Sequence, residues 1–304
     1  MKRFLWLIRR EVWEHKAIWI APAIVIGCLL LLVVTGNVHL GPIGTFDDSS
    51  PLGDFPRDIQ IRLLMIVYAG LALVVDMVMG IVAFFYALDS LYADRRDRSV
   101  LFWKSMPLSD AETVLSKFAV AVLVIPLIAM AGAIIAQFVV AAGGSAKLAM
   151  AGMSGGIMWQ PEAIFGGIAV AFVWCVTAIL WYSPIVAYLM LASAWAPKGP
   201  FLWAVLPPVA IWVLERVVLY SEHVGDFITY RLFGLYRLLG PSQSASDGMS
   251  EADVGAEVVK LSNIDLVGSL REFYSSPDLW LGVAAAGLLL AGAMWVRRYR
   301  DETS

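Results

Sequence analysis

Residues 17–35 read AIWIAPAIVIGCLLLLVVT, an apolar run without a charged side chain. A helix needs about 20 such residues to cross the roughly 30 Å hydrocarbon core of a bilayer, because each residue adds about 1.5 Å. The run is too long for the apolar core of a typical secretory signal, which has about 7–15 residues, and no convincing small-x-small cleavage site follows it. It is therefore predicted to be a retained membrane-spanning helix.

The whole chain has the composition of a membrane protein. Of its 304 residues, 60% are hydrophobic and 15% are charged, whereas soluble domains are nearer half apolar and a quarter charged. The net charge of -3 gives no basic surface for a nucleic-acid backbone, so no nucleic-acid partner is expected. Cys28 and Cys175 both fall within apolar runs, a pattern that supports neither a disulfide framework nor a paired-cysteine metal site.

Six apolar stretches are long enough to cross a membrane. They are residues 17–35, 63–88, 118–142, 164–195, 201–220 and 279–296. Pro184 in the fourth stretch predicts a tilt, a kink or a helical extension beyond the bilayer, and Pro207 and Pro208 predict a bent fifth helix. The predicted fold is an all-α integral membrane protein in which residues 1–304 form a single transmembrane domain.

Lys and Arg are distributed unevenly between the connecting segments. With the N-terminus inside, the inner segments hold fourteen of the 22 Lys and Arg residues and the outer segments hold seven. Short loops rich in basic residues stay in the cytoplasm, so both termini are predicted to be cytoplasmic. Residues 221–278 then form a large extracytoplasmic loop. Its first part, DFITYRLFGLYRLL, is predicted to lie in the outer interface or to dip back as a short re-entrant helix.

Residues 1–16 are predicted to form an amphipathic helix in the plane of the membrane. At 100° per residue, one face is apolar and the opposite face is charged. The apolar face consists of Phe4, Leu5, Ile8 and Val12, and the charged face of Arg3, Arg10 and Glu14. Glu11 and His15 border or enter the apolar face, so the amphipathicity is imperfect.

The segment between the second and third stretches, residues 89–117, reads DSLYADRRDRSVLFWKSMPLSDAETVLSK. A dense ionic cluster is followed by an apolar one, a pattern typical of a short helix that docks into a groove of another protein, where aromatic and Arg anchors dominate binding. The predicted docking residues are Asp94, Arg95, Arg96, Asp97, Arg98, Leu101, Phe102, Trp103 and Lys104, and Pro107 ends the helix. Ser109 and Glu112 are predicted to form a capping box that starts the next helix. Alternatively, the segment is a basic loop on anionic headgroups, with Trp103 as an interfacial anchor.

No sequence motif supports chemistry by the chain itself. The sequence contains no GxxxxGK[ST], HExxH or GxSxG pattern, and its three histidines fall in different segments. We therefore expect no catalytic residue, no metal site and no cofactor bound by this chain. Asp76, within the second stretch, is the candidate intramembrane polar site. It is predicted to face a cargo, a proton or a dimer interface, or to form a structural hydrogen bond between helices.

The order of these segments resembles the ABC-2 type permeases over essentially the whole chain. The residues that match the inner-segment pattern of that family are Asp94–Arg98, Leu101–Trp103, Pro107, Ser109 and Lys117, and Arg98-Ser99 stands where many members have a glycine-threonine pair. The resemblance implies a half-transporter in which residues 94–107 are a cytoplasmic coupling helix that contacts a separate ABC ATPase subunit, and residues 2–16 are an elbow helix. It implies that ATP and Mg are bound by the partner subunit. A second permease copy is expected as well, in a homodimer or with a sister permease as the alternative.

Two other classes of protein remain open at this stage. A gradient-driven secondary carrier would use Asp76 as its proton or ion site. A membrane scaffold would transport nothing. An intramembrane enzyme is disfavoured because no motif places two catalytic groups at one depth.

Overall fold

The structure, a computed structural model, describes residues 2–35, 57–97, 109–150, 152, 154–235 and 266–300, and these ranges are all-helical. The helices in chain order are α1 (Lys2–Glu14), α2 (Ala17–Thr35), α3 (Arg57–Arg96), α4 (Asp110–Met150), α5 (Pro161–Trp195), α6 (Pro200–Leu219), α7 (His223–Phe233), α8 (Leu266–Ser275) and α9 (Pro277–Arg300). Six of them, α2 to α6 and α9, are long and apolar enough to cross a membrane. This confirms the predicted number of membrane-spanning helices.

The membrane-length helices run alternately between two ends of the bundle. Lys117, near the start of α4, contacts Asp94 at the end of α3, and Arg297 near the end of α9 contacts the same carboxylate. Glu11 of α1 contacts Lys117 as well, so this end is called the α1 end. The first described helix and the C-terminal end of the last one therefore lie at the same end of the bundle.

Three of the helices are longer than one membrane crossing requires. The helices α3, α4 and α5 have 40, 41 and 35 residues, against about 20 for a single crossing. The apolar stretches 63–88 and 118–142 cover only the central parts of α3 and α4. The extra turns of α3 and α4 at the α1 end carry Asp94, Asp110 and Lys117, which belong to the candidate site.

Small residues line the contacts between the central helices. The helix α5 packs against α3, α4, α6 and α9. Gly167 of α5 lies so close to α3 and α4 that a Cβ there would be 2.8 Å from Cβ of Tyr68 and 2.8 Å from Nε2 of Gln137. Ala136 and Ala187 are completely buried. Small residues let helix backbones approach closely in a membrane, where the hydrophobic effect does not drive helices together.

Two buried polar side chains join helices at the end opposite α1. The Tyr68 hydroxyl donates to the carbonyl of Met158 (2.7 Å), which fixes the short 3-10 turn Gly155–Trp159 against α3. Nε2 of Gln137 in α4 donates to the carbonyl of Ile164 in α5 (2.9 Å). Both bonds satisfy polar groups that would otherwise be buried without a partner.

The prolines inside the membrane-length helices do not end them. The helix α5 continues through Pro184, and α6 continues through Pro207 and Pro208. The last turn of α6, Glu215–Leu219, has π geometry. Such a turn is a local irregularity of the kind that neighbouring helices can accommodate in a membrane.

Glu215 stabilises the turn between α6 and α7. Its carboxylate accepts hydrogen bonds from the backbone amides of His223 (2.9 Å) and Val224 (2.7 Å) and from the hydroxyl of Ser221 (2.8 Å). These contacts satisfy amides at the start of α7 that have no partner within the helix. Tyr220, with φ 50, adopts the left-handed conformation that completes the reversal.

The helix α7 folds back against the bundle and reaches the middle of α5. The buried Trp181 donates from Nε1 to the carbonyl of Arg231 (2.9 Å), and the Arg231 guanidinium lies 4.3 Å from the centre of the Trp181 ring. Nη1 of Arg231 also donates to the carbonyl of Asp278 in α9 (3.3 Å). A side chain at Gly282 would overlap Nη2 of Arg231. Burial lowers the pKa of Arg231.

Replacing Trp181 with Phe tests this attachment, because it keeps an aromatic ring in place and removes the indole N–H. The attachment of α7 should weaken by about 1 kcal/mol, the net value of one buried hydrogen bond. Amides of residues 223–233 should then exchange about fivefold faster, as measured by hydrogen–deuterium exchange. Trp203→Phe, at a half-exposed tryptophan of α6, is the matched control. Equal exchange rates in Trp181→Phe and the control would contradict the attachment.

Candidate functional site

Four charged side chains are buried together at the α1 end of the bundle. They are Glu11, Asp94, Lys117 and Arg297, whose exposed fractions are 3%, 7%, 4% and 5%. Charged residues are almost never buried to this extent unless they are paired. We call these four residues, together with the partly exposed Asp110, the ion network.

Two cations hold the ion network together. Nζ of Lys117 lies 3.0 Å from Oε1 of Glu11 and 3.4 Å from Oδ1 of Asp94. On the other side, Nη1 of Arg297 lies 2.9 Å from Oδ2 of Asp94, and its Nε lies 3.2 Å from Oδ1 of Asp110. The Asp94 carboxylate is thus shared by an ammonium and a guanidinium group. The fixed fork of an arginine is suited to hold two carboxylates at once.

The ion network joins four helices. Glu11 belongs to α1, Asp94 to the last turn of α3, Asp110 and Lys117 to the first turns of α4, and Arg297 to the last turns of α9. The network therefore fixes the positions of these helix ends relative to one another.

Tyr86 and His15 complete the surroundings of Glu11. The Tyr86 hydroxyl donates to Oε2 of Glu11 (3.2 Å), so each carboxylate oxygen has a partner. Nδ1 of His15 donates to the backbone carbonyl of Glu11 (3.0 Å), and the His15 ring packs edge-on against the ring of Tyr86. These contacts hold the junction between α1 and α2 against α3.

The ion network stabilises the fold only when every buried charge in it has its partners. Burial of an ion costs several kcal/mol, and the attraction of a partner offsets this cost only when the geometry is good and the remaining polar atoms are bonded. Removal of one partner from a buried pair is therefore costly, at about 3–5 kcal/mol. The network acts as a constraint on geometry, because its members are tolerated only in this arrangement.

Two members of the ion network lie on either side, in the chain, of the connection formed by residues 98–108. Asp94 precedes this connection and Asp110 follows it, and Arg297 bonds to both. On the α4 side, the amide of Ser109 donates to Oε2 of Glu112 (3.0 Å) and the amide of Glu112 donates to Oγ of Ser109 (3.1 Å). This is the predicted capping box, and it fixes the direction in which α4 starts.

The predicted docking residues have different surroundings in the structure. Arg95 donates to the carbonyl of Ala196 (2.9 Å), directly after α5, and so satisfies an orphan carbonyl at the end of that helix. The exposed Arg96 pairs with Asp97 (3.0 Å) and Asp89 (3.8 Å). The other predicted docking residues lie outside the described residues, namely Arg98, Leu101, Phe102, Trp103, Lys104 and Pro107.

The helix α1 contacts the bundle through Ile8, Glu11 and Val12. Leu5, which was predicted to share the apolar face, is 64% exposed. The helix is turned so that Glu11 points to Lys117, which explains why an acidic residue enters its apolar face.

The other predicted elbow residues lie on the sides of α1. Phe4 is half-buried and Arg3 is exposed. Arg10 forms an ion pair with Glu14 (2.9 Å) one turn later. None of these three takes part in the ion network.

Asp76 lies in the middle of α3, half-buried and close to Cys175 of α5. It forms no hydrogen bond or ion pair with any described residue. It is also far from the ion network, because 18 residues separate it from Asp94 along the helix, or about 27 Å. Within the described ranges, no three His, Cys, Asp or Glu side chains form a metal-binding group.

Sequence reasoning missed Glu11, Asp110 and Arg297 as members of the site. The one signal that pointed to Glu11 was its place in an otherwise apolar helix face. Arg297 and Asp94 are 203 residues apart, and local sequence patterns carry no information on such a pairing.

Comparison with known proteins gives no relative of this chain. No family model, curated protein or solved structure matches it. The resemblance to ABC-2 type permeases therefore rests on the chain's own residues.

Replacement of Arg297 by Gln tests the ion network, because it leaves Asp94 and Asp110 without their shared cation. The variant should be about 3–5 kcal/mol less stable than the unchanged protein, measured by unfolding in micelles with a rising fraction of sodium dodecyl sulfate. The control is Arg298→Gln at the adjacent exposed arginine, expected to change stability by less than about 0.5 kcal/mol. The double variant Asp94→Asn with Arg297→Gln should recover part of the loss, since the uncompensated charge is removed with its partner. Equal stability of Arg297→Gln and Arg298→Gln would contradict the network.

Proposed function

We propose that this chain is the membrane-spanning permease subunit of an ABC-2 type exporter in a bacterial cytoplasmic membrane. It moves a substrate outward by alternating between conformations, and a separate ATPase subunit binds ATP and Mg and supplies the energy. The observation that carries the proposal is the ion network, because it attaches both ends of the connection 98–108 to α1 and α9.

A segment that receives force from a motor needs a rigid attachment to the part that it moves. Arg297 bonds on both sides of the connection, to Asp94 and Asp110, and Lys117 extends the attachment to α1 through Glu11. Packed and ion-paired elements move as units, since they are not continuously deformable. A displacement of residues 98–108 would therefore move the ends of α1, α3, α4 and α9 together.

Arg95 connects α5 to the helix ends that the ion network joins. It follows Asp94 directly, and its guanidinium group bonds to the carbonyl after the last turn of α5. Ser193 of α5 in turn accepts hydrogen bonds through Oγ from the amides of Leu91 and Tyr92 in α3. In the proposed mechanism Arg95 therefore transmits motion within the permease, and the ATPase is contacted by residues farther along the segment.

The charge of the α1 end supports a cytoplasmic position for it. The exposed basic residues at this end include Arg3, Arg9, Lys16, Lys198 and Arg298. Basic residues close to membrane-spanning helices favour the cytoplasmic side. The connection 98–108 would then face the compartment that contains ATP.

Two permeases, each with its own ATPase, would form the working transporter, with a homodimer as the proposed arrangement. ATP binding brings the two ATPases together, and each docked connection passes this motion to its bundle as rigid-body rocking. Nucleotide and substrate each bias the same conformational equilibrium, which couples hydrolysis to export.

Co-purification tests the proposal. The tagged chain, produced from its own locus and purified in mild detergent, should bring down a subunit with ATPase activity. Replacing Phe102 and Trp103 with Ala should abolish that association, since aromatic anchors dominate such contacts.

The matched control replaces Phe165 and Phe172 with Ala, two exposed aromatic residues of α5 that lie away from the α1 end. Its association with the ATPase should equal that of the unchanged chain. Absence of any ATPase from the purified unchanged chain would refute the permease proposal. Retention of the ATPase by the Phe102 and Trp103 variant would refute only the docking assignment.

A gradient-driven carrier is the second candidate, favoured by the position of Asp76 in the middle of α3 without a described partner. In proteoliposomes with an imposed pH gradient and a pH-sensitive dye inside, a carrier of this kind would pass protons, and Asp76→Asn would stop the flux. For the proposed permease, we expect no such flux and no effect of Asp76→Asn. A proton flux that requires Asp76 would replace the permease proposal.

A further inference from the structure

A groove of about 530 Å³ opens between α2, α3 and α6 on the side of the bundle. Its lining is mostly apolar, with polar groups toward the α1 end. The lining includes Ile18, Ile81, Phe85 and Phe201 in the apolar part and His15 and Asp89 in the polar part.

The groove lies where two membrane-length helices begin. Ala17, the first residue of α2, and Pro200, the first residue of α6, both line it. Along α3, Ile81 and Asp89 are eight residues apart, or about 12 Å. The groove therefore runs from the depth at which the apolar helices start toward the hydrocarbon core.

Two lysines stand beside the polar part. Lys16 and Lys198 are exposed and directly precede the lining residues Ala17 and Gly199. Neither lysine has an ion pair with any residue that the structure describes. The carboxylate in the lining, Asp89, is already within 3.8 Å of Arg96. The mouth of the groove therefore offers cations that are available to an anionic group.

We propose that the groove binds a phospholipid of the surrounding bilayer, with an acyl chain in the apolar part and its phosphate between Lys16 and Lys198. An apolar recess that faces lipid would forfeit van der Waals contacts if it stayed empty, and an acyl chain restores them. Basic pockets between membrane helices on the cytoplasmic side are recognised sites for anionic headgroups. The proposal requires a membrane-spanning chain and does not depend on a motor subunit.

The pairing of nearby acids favours a phospholipid over a second copy of the chain. A second copy would have to supply carboxylates to the two lysines. Among the described acids exposed at this end, Glu14 is paired with Arg10 and Asp97 with Arg96. A lipid phosphate supplies the missing negative charge without breaking either pair.

Lipid titration tests the headgroup contact. The full chain is delipidated in detergent and titrated with dioleoylphosphatidylglycerol, and retained lipid is counted by native mass spectrometry. The unchanged chain should retain one lipid per chain. The double variant Lys16→Gln with Lys198→Gln should bind it about 30-fold more weakly, because a lysine near an anionic lipid surface strengthens binding roughly fivefold. Dioleoylglycerol has the same acyl chains and no phosphate. It should bind to the unchanged chain as weakly as dioleoylphosphatidylglycerol binds to the double variant. Arg9→Gln with Arg298→Gln, at two exposed arginines of the same end, is the charge-matched control and should bind like the unchanged chain.

Filling the groove tests the acyl-chain contact. Ile81 is 52% exposed, so Ile81→Trp should occupy the groove without disturbing the core, and it should abolish lipid retention. The control is Leu288→Trp on α9, at a leucine that is 76% exposed. Lipid retention by Ile81→Trp and by the lysine variant at the level of the unchanged chain would overturn the proposal. A lower dimer fraction of Ile81→Trp with unchanged lipid retention would also overturn it, since the groove would then be an interface between copies.

Discussion

The burial of Asp94 constrains the arrangement of the α1 end. A carboxylate with 7% exposure is tolerated only beside compensating cations, because its desolvation alone costs several kcal/mol. Lys117 and Arg297 must therefore lie beside Asp94, and these contacts hold the start of α4 and the end of α9 against α3. Lys117 then holds Glu11, which places α1. The positions of four helix ends thus follow from the need to neutralise one buried charge.

The ion network is followed along α4 by an irregular turn. Val120–Val124, which begins three residues after Lys117, has π geometry, and Pro126 follows two residues after its end. A π turn is wider than an α turn and can change the phase of the helix beyond it. In the proposed transporter, this turn is where a change in the phase of α4 would leave the contacts of Lys117 in place. In the proposed transporter, this arrangement combines a rigid end that receives force with a helix able to adjust within the membrane.

The sequence predicted those features that depend on local composition. The six membrane-length helices follow from apolar length alone, and the Ser109–Glu112 capping box follows from a four-residue motif. The ion network does not, because Arg297 meets Asp94 only through the packing of α9, and the two are 203 residues apart. The orientation of α1 about its own axis depends likewise on a distant residue, because Glu11 lies on the apolar face where it contacts Lys117. Charge alone predicts that Arg95 docks a partner, and the bond of its guanidinium group to a carbonyl beyond α5 could not be predicted from local sequence.

The two ends of the bundle are held by interactions of different kinds, and this difference bears on how the bundle moves. Away from the α1 end, side chains of Tyr68, Gln137 and Trp181 each donate one hydrogen bond to a backbone carbonyl. Each such bond is worth about 1 kcal/mol and can break without the others. The ion network shares its carboxylates, so loss of one contact leaves a buried charge uncompensated, and the network breaks as a unit. Under the proposed function, the end that receives force moves as a block, and the end where substrate leaves can open one contact at a time.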